Sequence, residues 1–261
     1  MCRMRLNRFL ASAGLGSRRG VEELIQSARV KINGLVVVDL ATQVGPEDVV
    51  KVGSRVVRAE TTLSAMLFKP KGYLCTASDE RDRRTIFDLL PDNWPRVYHV
   101  GRLDMESEGL LIVTNDGALS LALTHPSHQI DKEYEVGLDR PFDPAHRDKM
   151  LRGIRIEGGL AKAEQVQILA PKVLRIVLQQ GIKRQIRLMC YSLGYEVTQL
   201  RRVRVGSLRL TPLKPGQWRM LSPREVSSLK NAPPKPPKTA PASATTPRRT
   251  SPNPYTARKS N

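Results

Sequence analysis

Apolar residues along this chain change their spacing repeatedly, and each change marks an element. Leu6, Phe9, Leu10 and Ala13 recur at helical spacing until Gly14 and Gly16 break the run. Ser17 can cap a second helix, with Val21, Leu24, Ile25 and Ala28 on its apolar face. Val30-Lys31-Ile32 and Leu35-Val36-Val37-Val38 flank Asn33-Gly34, the strongest short hairpin signal, and Asp48 to Val52 adds a strand. Residues 4–60 therefore read as a small module, followed by a linker to residue 65.

A second region, 65–230, opens with a strand from Ala65 that the turn Lys69-Pro70-Lys71-Gly72 interrupts. Ser78 to Arg84 is dense in charge and reads as a mobile loop; Ile86, Leu89 and Leu90 suggest a short helix ended by Pro91. Val97 to Val100 leads in as a strand, and Gly109 to Thr114 is an apolar run of strand length. A helix from Gly117 to Leu123 follows, capped by Asn115 or Asp116. Asp131 to Leu138 alternates, with Lys132, Tyr134, Val136 and Leu138 on one face. Pro144 to Leu151 reads as a helix closed by Gly153, and Val166–Leu169 and Val173–Leu178 as strands. Lys183 to Leu193 reads as a helix stopped by Gly194, and Tyr195 to Leu210 as strands. Ser222-Pro223-Arg224-Glu225 is a capping box that opens a last short helix.

Charge narrows the class of partner. A net charge of +18 and a pI near 10.3 attract polyanions, nucleic acid first and an anionic membrane second. No apolar run approaches the roughly 18 residues of a spanning helix. The basic start, Met1 to Arg5, lacks the apolar segment of a signal peptide. Cys2, Cys75 and Cys190 lie far apart, without zinc spacing or a disulfide framework, so a reducing cytoplasm is expected. From Asn231 the chain has eight prolines, six Lys/Arg and no acids. That tail, 231–261, is expected to be disordered and suits loose RNA contact.

Candidate chemistry follows. Arg18 and Arg19 start a helix, the wrong end for cations by about 0.3–1 kcal/mol; near Arg3, Arg5, Arg8 and Lys31 they favour phosphate binding. Asp104 follows Arg102 in a loop between two buried strands, and such a loop places a reactive side chain accurately. Lys132 on the face of Tyr134 suggests that their strand runs out of the core into a site. Arg184, Arg187 and Tyr191 would share a helix face. His125 and His128 stand at i, i+3, but Pro126 disfavours a shared helix and no third ligand is near, so no metal site is expected.

Arg5-Leu6, Ser17-Arg18-Arg19 and Arg29-Val30-Lys31-Ile32-Asn33-Gly34 resemble the S4 RNA-binding domain. Ala28 stands where that family usually has glycine; in a left-handed cap alanine carries strain that glycine avoids. Gly101-Arg102-Leu103-Asp104, with Gly109-Leu110-Leu111 and Thr114-Asn115-Asp116-Gly117, resembles the catalytic motif of RsuA-branch pseudouridine synthases. Lys132-Glu133-Tyr134 is similar to that family's Lys-x-Tyr motif, and Gly181 with Arg184-Gln185-Ile186-Arg187 and Met189 to its third. Leu200, Arg202, Gly206 and Leu208 match the segment that follows.

The resemblance implies an α+β fold. A small S4 (α-L) domain precedes a catalytic domain with a mixed, largely antiparallel sheet, flanking helices and RNA across a central cleft. It implies isomerisation of uridine to pseudouridine in ribosomal RNA, without cofactor or metal. It makes Asp104 the nucleophile, pairs Arg187 with it, stacks Tyr134 on the target base, and sets Arg102 in or beside the vacated space. Lys132, Arg184, Arg202 and Arg204 are then expected to contact RNA, as are Arg5, Arg18, Arg19 and Lys31. Ser107 replaces a common threonine and keeps its hydroxyl; Phe68 replaces the usual asparagine before Lys69-Pro70. The branch includes enzymes for small- and large-subunit RNA; Gly181 to Met189, with Gly194-Tyr195-Glu196-Val197, looks closer to large-subunit members, including one that acts on both ribosomal and transfer RNA, and small-subunit (16S) or transfer RNA is the alternative substrate. A monomer is the default expectation. Two rivals remain: an RNA-binding assembly factor without catalysis, and a hydrolase pairing Asp104 with Glu106 or Glu108.

Overall fold

The computed structural model describes residues 3–210 and 212–231; the tail beyond 231 lies outside them. The N-terminal module runs β1 (Met4–Arg5), α1 (Leu6–Ser12), α2 (Gly20–Gln26), β2 (Val30–Ile32), β3 (Leu35–Val37), β4 (Gln43–Val44), β5 (Val50–Val52) and β6 (Arg55–Val57). An antiparallel sheet in the order β3-β2-β5-β6 packs beneath the two helices, and Leu6, Leu10, Val21, Ile25, Val30 and Val50 form the core between them. The β2–β3 hairpin turns at Asn33 and Gly34, both left-handed, as the dipeptide predicts. Ser17 Oγ accepts the Gly20 N–H at 3.0 Å, where α2 begins.

Ala28 follows α2 with φ 58°. That region costs an alanine about 1–2 kcal/mol, partly offset by the backbone freedom that glycine would lose. Ala28→Gly is therefore expected to stabilise the fold by about 0.5 kcal/mol. The measurement is the denaturant midpoint, and a lower midpoint would refute the strain argument.

Residues 64–230 build β7 (Ser64–Lys69), β8 (Tyr98–Val100), β9 (Glu108–Thr114), α3 (Gly117–Thr124), β10 (Lys132–Leu138), α4 (Ala145–Arg152), β11 (Ile154–Ile156), β12 (Gly159–Ala161), β13 (Gln165–Ala170) and β14 (Val173–Leu178). They continue through α5 (Gln185–Ser192), β15 (Val197–Val205), β16 (Leu208–Arg209), β17 (Trp218–Met220) and α6 (Pro223–Lys230). The main sheet has the order β13-β14-β10-β15-β9-β7-β17, with β8 on β9 and β16 on β15. Only β15 and β9 run parallel, so the sheet is mixed and largely antiparallel. Met150 of α4 and Met189 of α5 pack on Val136, Leu174 and Ile176; Leu119 of α3 and Leu229 of α6 pack on Met66, Leu110 and Ile112.

Two local expectations need correction. α5 starts at Gln185 rather than Lys183, because Arg184 is left-handed, with φ 55°. Arg184 is thus a cap and does not belong to the first turn. The charged loop 78–84 is folded around Asp79, which accepts the Arg81 and Arg83 N–H groups and two guanidinium bonds from Arg83 at 2.7 and 3.0 Å. The Arg83 bonds hold the Asp79 carboxyl well below the usual range.

Candidate active site

β9 is buried along its whole length and changes partner along one edge. β7 fills the other edge, from Lys69 opposite Gly109 to Ser64 opposite Thr114. On the remaining edge β15 pairs with Glu108 and Gly109, and β8 takes over at Ile112 to Thr114. The loop from Gly101 to Ser107 leaves β8 and enters β9 at this junction, where the strand partners separate and a crevice opens. Gly109 makes the parallel contact possible. Its φ is 108°, and a Cβ there would collide with the Arg202 backbone.

Lys69 holds the loop from beneath. Its side chain is fully buried, and Nζ lies within bonding distance of the carbonyl oxygens of Ser107 (2.8 Å), Pro70 (3.0 Å), Asp104 (3.1 Å) and Met105 (3.4 Å). Burial lowers its pKa, while the charges of Cys75 and Asp104 pull the other way. The sequence reading places Lys69 in a turn and misses this role. Its position before proline hides it; the one available signal is its place at the end of the apolar run Ala65 to Phe68.

Above the loop lies a cavity of about 380 Å³ between the end of α3 and the start of α5. Its lining includes Asp104 and the cations Arg102, Lys132, Lys183, Arg184 and Arg202; Asp104 is the one carboxylate among the lining residues. Asp104 is half-buried, and among the described residues no hydrogen bond or ion pair engages its carboxylate. Tyr134 and Ser107 also line the cavity. The Ser107 hydroxyl is buried and makes no hydrogen bond among the described residues. Lys132 Nζ donates to Ile130 O at 3.3 Å, and burial followed by the nearby Arg202 charge lowers its pKa.

One extra residue in β15 decides which arginines reach this cavity. Glu133 faces Arg204 while Tyr134 faces Arg202, so Val203 is a bulge. Arg202 and Val205 point into the cavity, whereas Arg204 bonds Glu133 at 2.9 Å on the far side. Arg204 is therefore not placed to hold RNA in the cleft. Arg202 is also reassigned, from a backbone contact to the cavity floor. It is 3% exposed, and its Nε donates to Leu110 O at 2.8 Å. On the far side Arg201 bonds Glu108 and lies over Phe68, 5.6 Å from the ring centroid, which gives the Phe68 departure a physical role.

Arg187 does not pair with Asp104 as the resemblance implies. Its Nη1 donates to Val197 O at 3.0 Å and its Nη2 to Glu106 O at 3.4 Å, with the Glu106 carboxylate 4.0 Å away. Arg184 also lies 3.9 Å from Glu106. The two arginines thus brace the loop two residues beyond Asp104. Glu108 is engaged on the other side of the sheet; burial would raise its pKa, but bonds from Gln199 and Arg201 lower it. Among the described residues neither Glu106 nor Glu108 lines the cavity with Asp104, which removes the support for a hydrolase that pairs them.

The expected S4 contacts fall on different faces. Arg5 precedes α1 and is exposed. Arg18 and Arg19 are exposed in the turn before α2, with no ion pair among the described residues. Lys31 alternates with the core residues Val30 and Ile32, so it points from the sheet face opposite the helices, directly across from Lys51. The histidine pair is held locally: His125 Nδ1 meets Ser127 Oγ, and His128 Nδ1 meets Ala122 O. Burial pushes the Cys190 thiol up to about 12.

The RNA pseudouridylate synthase profile matches residues 65–192, and the S4 domain profile matches residues 4–50. An RNA pseudouridine synthase of Aquifex aeolicus is 37% identical over 235 residues, 88% of this chain and 94% of that protein. The chain belongs to the RNA pseudouridine synthases. Like the RsuA branch, this synthase carries a leading S4 domain. The ribosomal large subunit pseudouridine synthase B of Bacillus subtilis is 34% identical, covering 87% of this chain and 95% of its own. The dual-specificity RNA pseudouridine synthase RluF of Escherichia coli K12 is 37% identical, covering 87% and 78%. A pseudouridylate synthase crystal structure superposes with a TM-score of 0.64 at 28% identity, covering 87% of this chain and 99% of its own. The synthase is thus an isomerase that acts on RNA. No helix among its described residues is long and apolar enough to cross a membrane.

Proposed function

We propose that this synthase converts one uridine of large-subunit ribosomal RNA to pseudouridine, with Asp104 as nucleophile. The observation that carries the reading is a cavity in which a single carboxylate stands among five cations. The cations suit phosphates, and the carboxylate suits covalent attack. The volume of about 380 Å³ fits one nucleotide turned out of its stack.

The isomerisation breaks the N1–C1′ bond and forms a C1′–C5 bond, and the C5 proton is exchanged for one at N1. Atoms and electrons balance without an oxidant or reductant. Asp104 attacks either C6 of uracil or C1′ of the ribose. Tyr134, which lines the cavity, stacks on the extruded base and takes part in removing the C5 proton. Arg102 fills the vacated stack, while Lys132 and Arg184 hold the backbone. Arg187 contributes positive charge through the loop at Glu106. The S4 domain, residues 4–60, delivers RNA through Arg5, Arg18, Arg19 and Lys31 to the catalytic domain, residues 65–230. The chain works as a monomer in the cytoplasm.

The large-subunit target is supported by the name of the Bacillus relative, and a second substrate, transfer RNA, by the dual specificity named for the Escherichia relative. Pseudouridine mapping in cells with and without this protein is expected to lose one site in large-subunit RNA. An unchanged map of ribosomal and transfer RNA would refute the proposal.

A further inference from the structure

We propose that Thr114-Asn115-Asp116-Gly117, at the end of β9, is a clasp that fixes the S4 domain against the catalytic domain. RNA held by the one then reaches the cleft of the other in register. The inference rests on the RNA reading above, but its geometry stands alone. β9 carries the catalytic loop at its start and this motif at its end, about 20 Å away at the rise of an extended strand. The motif therefore takes no part in chemistry at Asp104.

Thr114 and Asn115 meet the junction instead. The Thr114 hydroxyl donates to Leu63 O at 2.6 Å and accepts from Ser64 Oγ and the Asp116 N–H at 2.7 and 2.9 Å. Asn115 makes three bonds into the linker. Its Oδ1 accepts the Leu63 N–H at 2.6 Å, its Nδ2 donates to Thr61 O at 3.0 Å, and its N–H donates to Leu63 O at 3.2 Å. The preceding linker residue turns to the S4 side: the Glu60 N–H donates to Ser12 O at 2.8 Å, and its carboxylate occupies the space a Cβ on Gly14 would need. Consecutive linker residues are thus tied to opposite domains.

Asp116 caps α3 and pairs with Lys230 of α6 at 2.5 Å. Gly117 lies beside α1: a Cβ there would be in ordinary contact with Tyr98 Oη at 3.5 Å and with two nitrogens of Arg8 at 3.9 Å. Burial and then the Asp116 charge raise the Tyr98 pKa, and Arg8 opposes them, so these three groups share one site. A helix start needs only the Asp116 cap. Asn115's three bonds to residues 61 and 63 serve the linker.

The test uses Asn115→Ala in the full chain, with nitroxide labels on the two domains. The interdomain distance distribution is expected to broaden. On an RNA long enough to meet both domains, KM is expected to rise about tenfold with kcat unchanged, because loosened modules lose effective concentration. Asn115→Asp keeps the acceptor for Leu63, loses the donor to Thr61, and falls between; it carries the test if the alanine variant fails to fold. An unbroadened distribution, or a fall in kcat at constant KM, overturns the clasp. The label measurement needs no RNA, so it judges the clasp even if the protein forms no pseudouridine in any RNA offered.

Discussion

Asp104→Asn is expected to abolish pseudouridine formation without weakening RNA binding. The amide keeps the shape of the carboxylate but cannot form the covalent adduct, and loss of an enzyme's nucleophile typically costs at least about 10⁴-fold in rate. Stability should change by no more than about 0.5 kcal/mol, because no hydrogen bond or ion pair among the described residues is lost. Affinity for RNA has a predicted sign as well. Asp104 is the one acid in a cationic cavity, so neutralising it removes a repulsion with phosphate and should tighten binding slightly. Single-turnover assays with base-resolved pseudouridine detection, beside a binding titration, check both parts. Wild-type yield from the variant would return Asp104 to a structural role and revive the assembly-factor reading.

Element identity is largely legible in the sequence because most elements carry a clean period or a clear stop. The Asn33-Gly34 hairpin, the capping box at Ser222 and the Gly153 and Gly194 stops all appear where the local chemistry puts them. Facing is less legible. Arg202 and Arg204 differ by two residues and should share a strand face, yet the bulge at Val203 sends them to opposite sides. A bulge is set by how β15 meets β9 and β10, and no local pattern encodes it. Arg184 shows the same limit at a helix start, where one left-handed residue shifts α5 by two positions. The linker reads as a spacer because its bonds go to Ser12 and Asn115, more than 40 residues away on one side and more than 50 on the other. Asp104 itself is legible as a candidate, since a lone acid in a basic loop between buried strands stands out. The ammonium beneath it is not.

Replacing that ammonium, by Lys69→Met, should cost the loop its anchor. Methionine fills much of the same space without a donor, leaving the carbonyls of Asp104, Met105 and Ser107 without the ammonium that now serves them. A buried carbonyl without a donor costs about 1–3 kcal/mol. Removing the charge also removes its own desolvation penalty, which offsets part of that loss. A net destabilisation of about 2 kcal/mol is expected. The catalytic effect should be larger: a loop displaced by about 1 Å misplaces Asp104 and lowers kcat about 10²-fold. A pH signature separates this role from simple packing. Burial lowers the Lys69 pKa from 10.5, so in the window below 10.5 the unfolded chain holds its proton more tightly than the native state. Native stability from this group therefore rises with pH across that window, and the methionine variant should lose that increment. Denaturant unfolding at several alkaline pH values, together with single-turnover rates, reads all three effects. Stability within about 0.5 kcal/mol of wild type and an unchanged rate would mean that the loop holds its shape without Lys69.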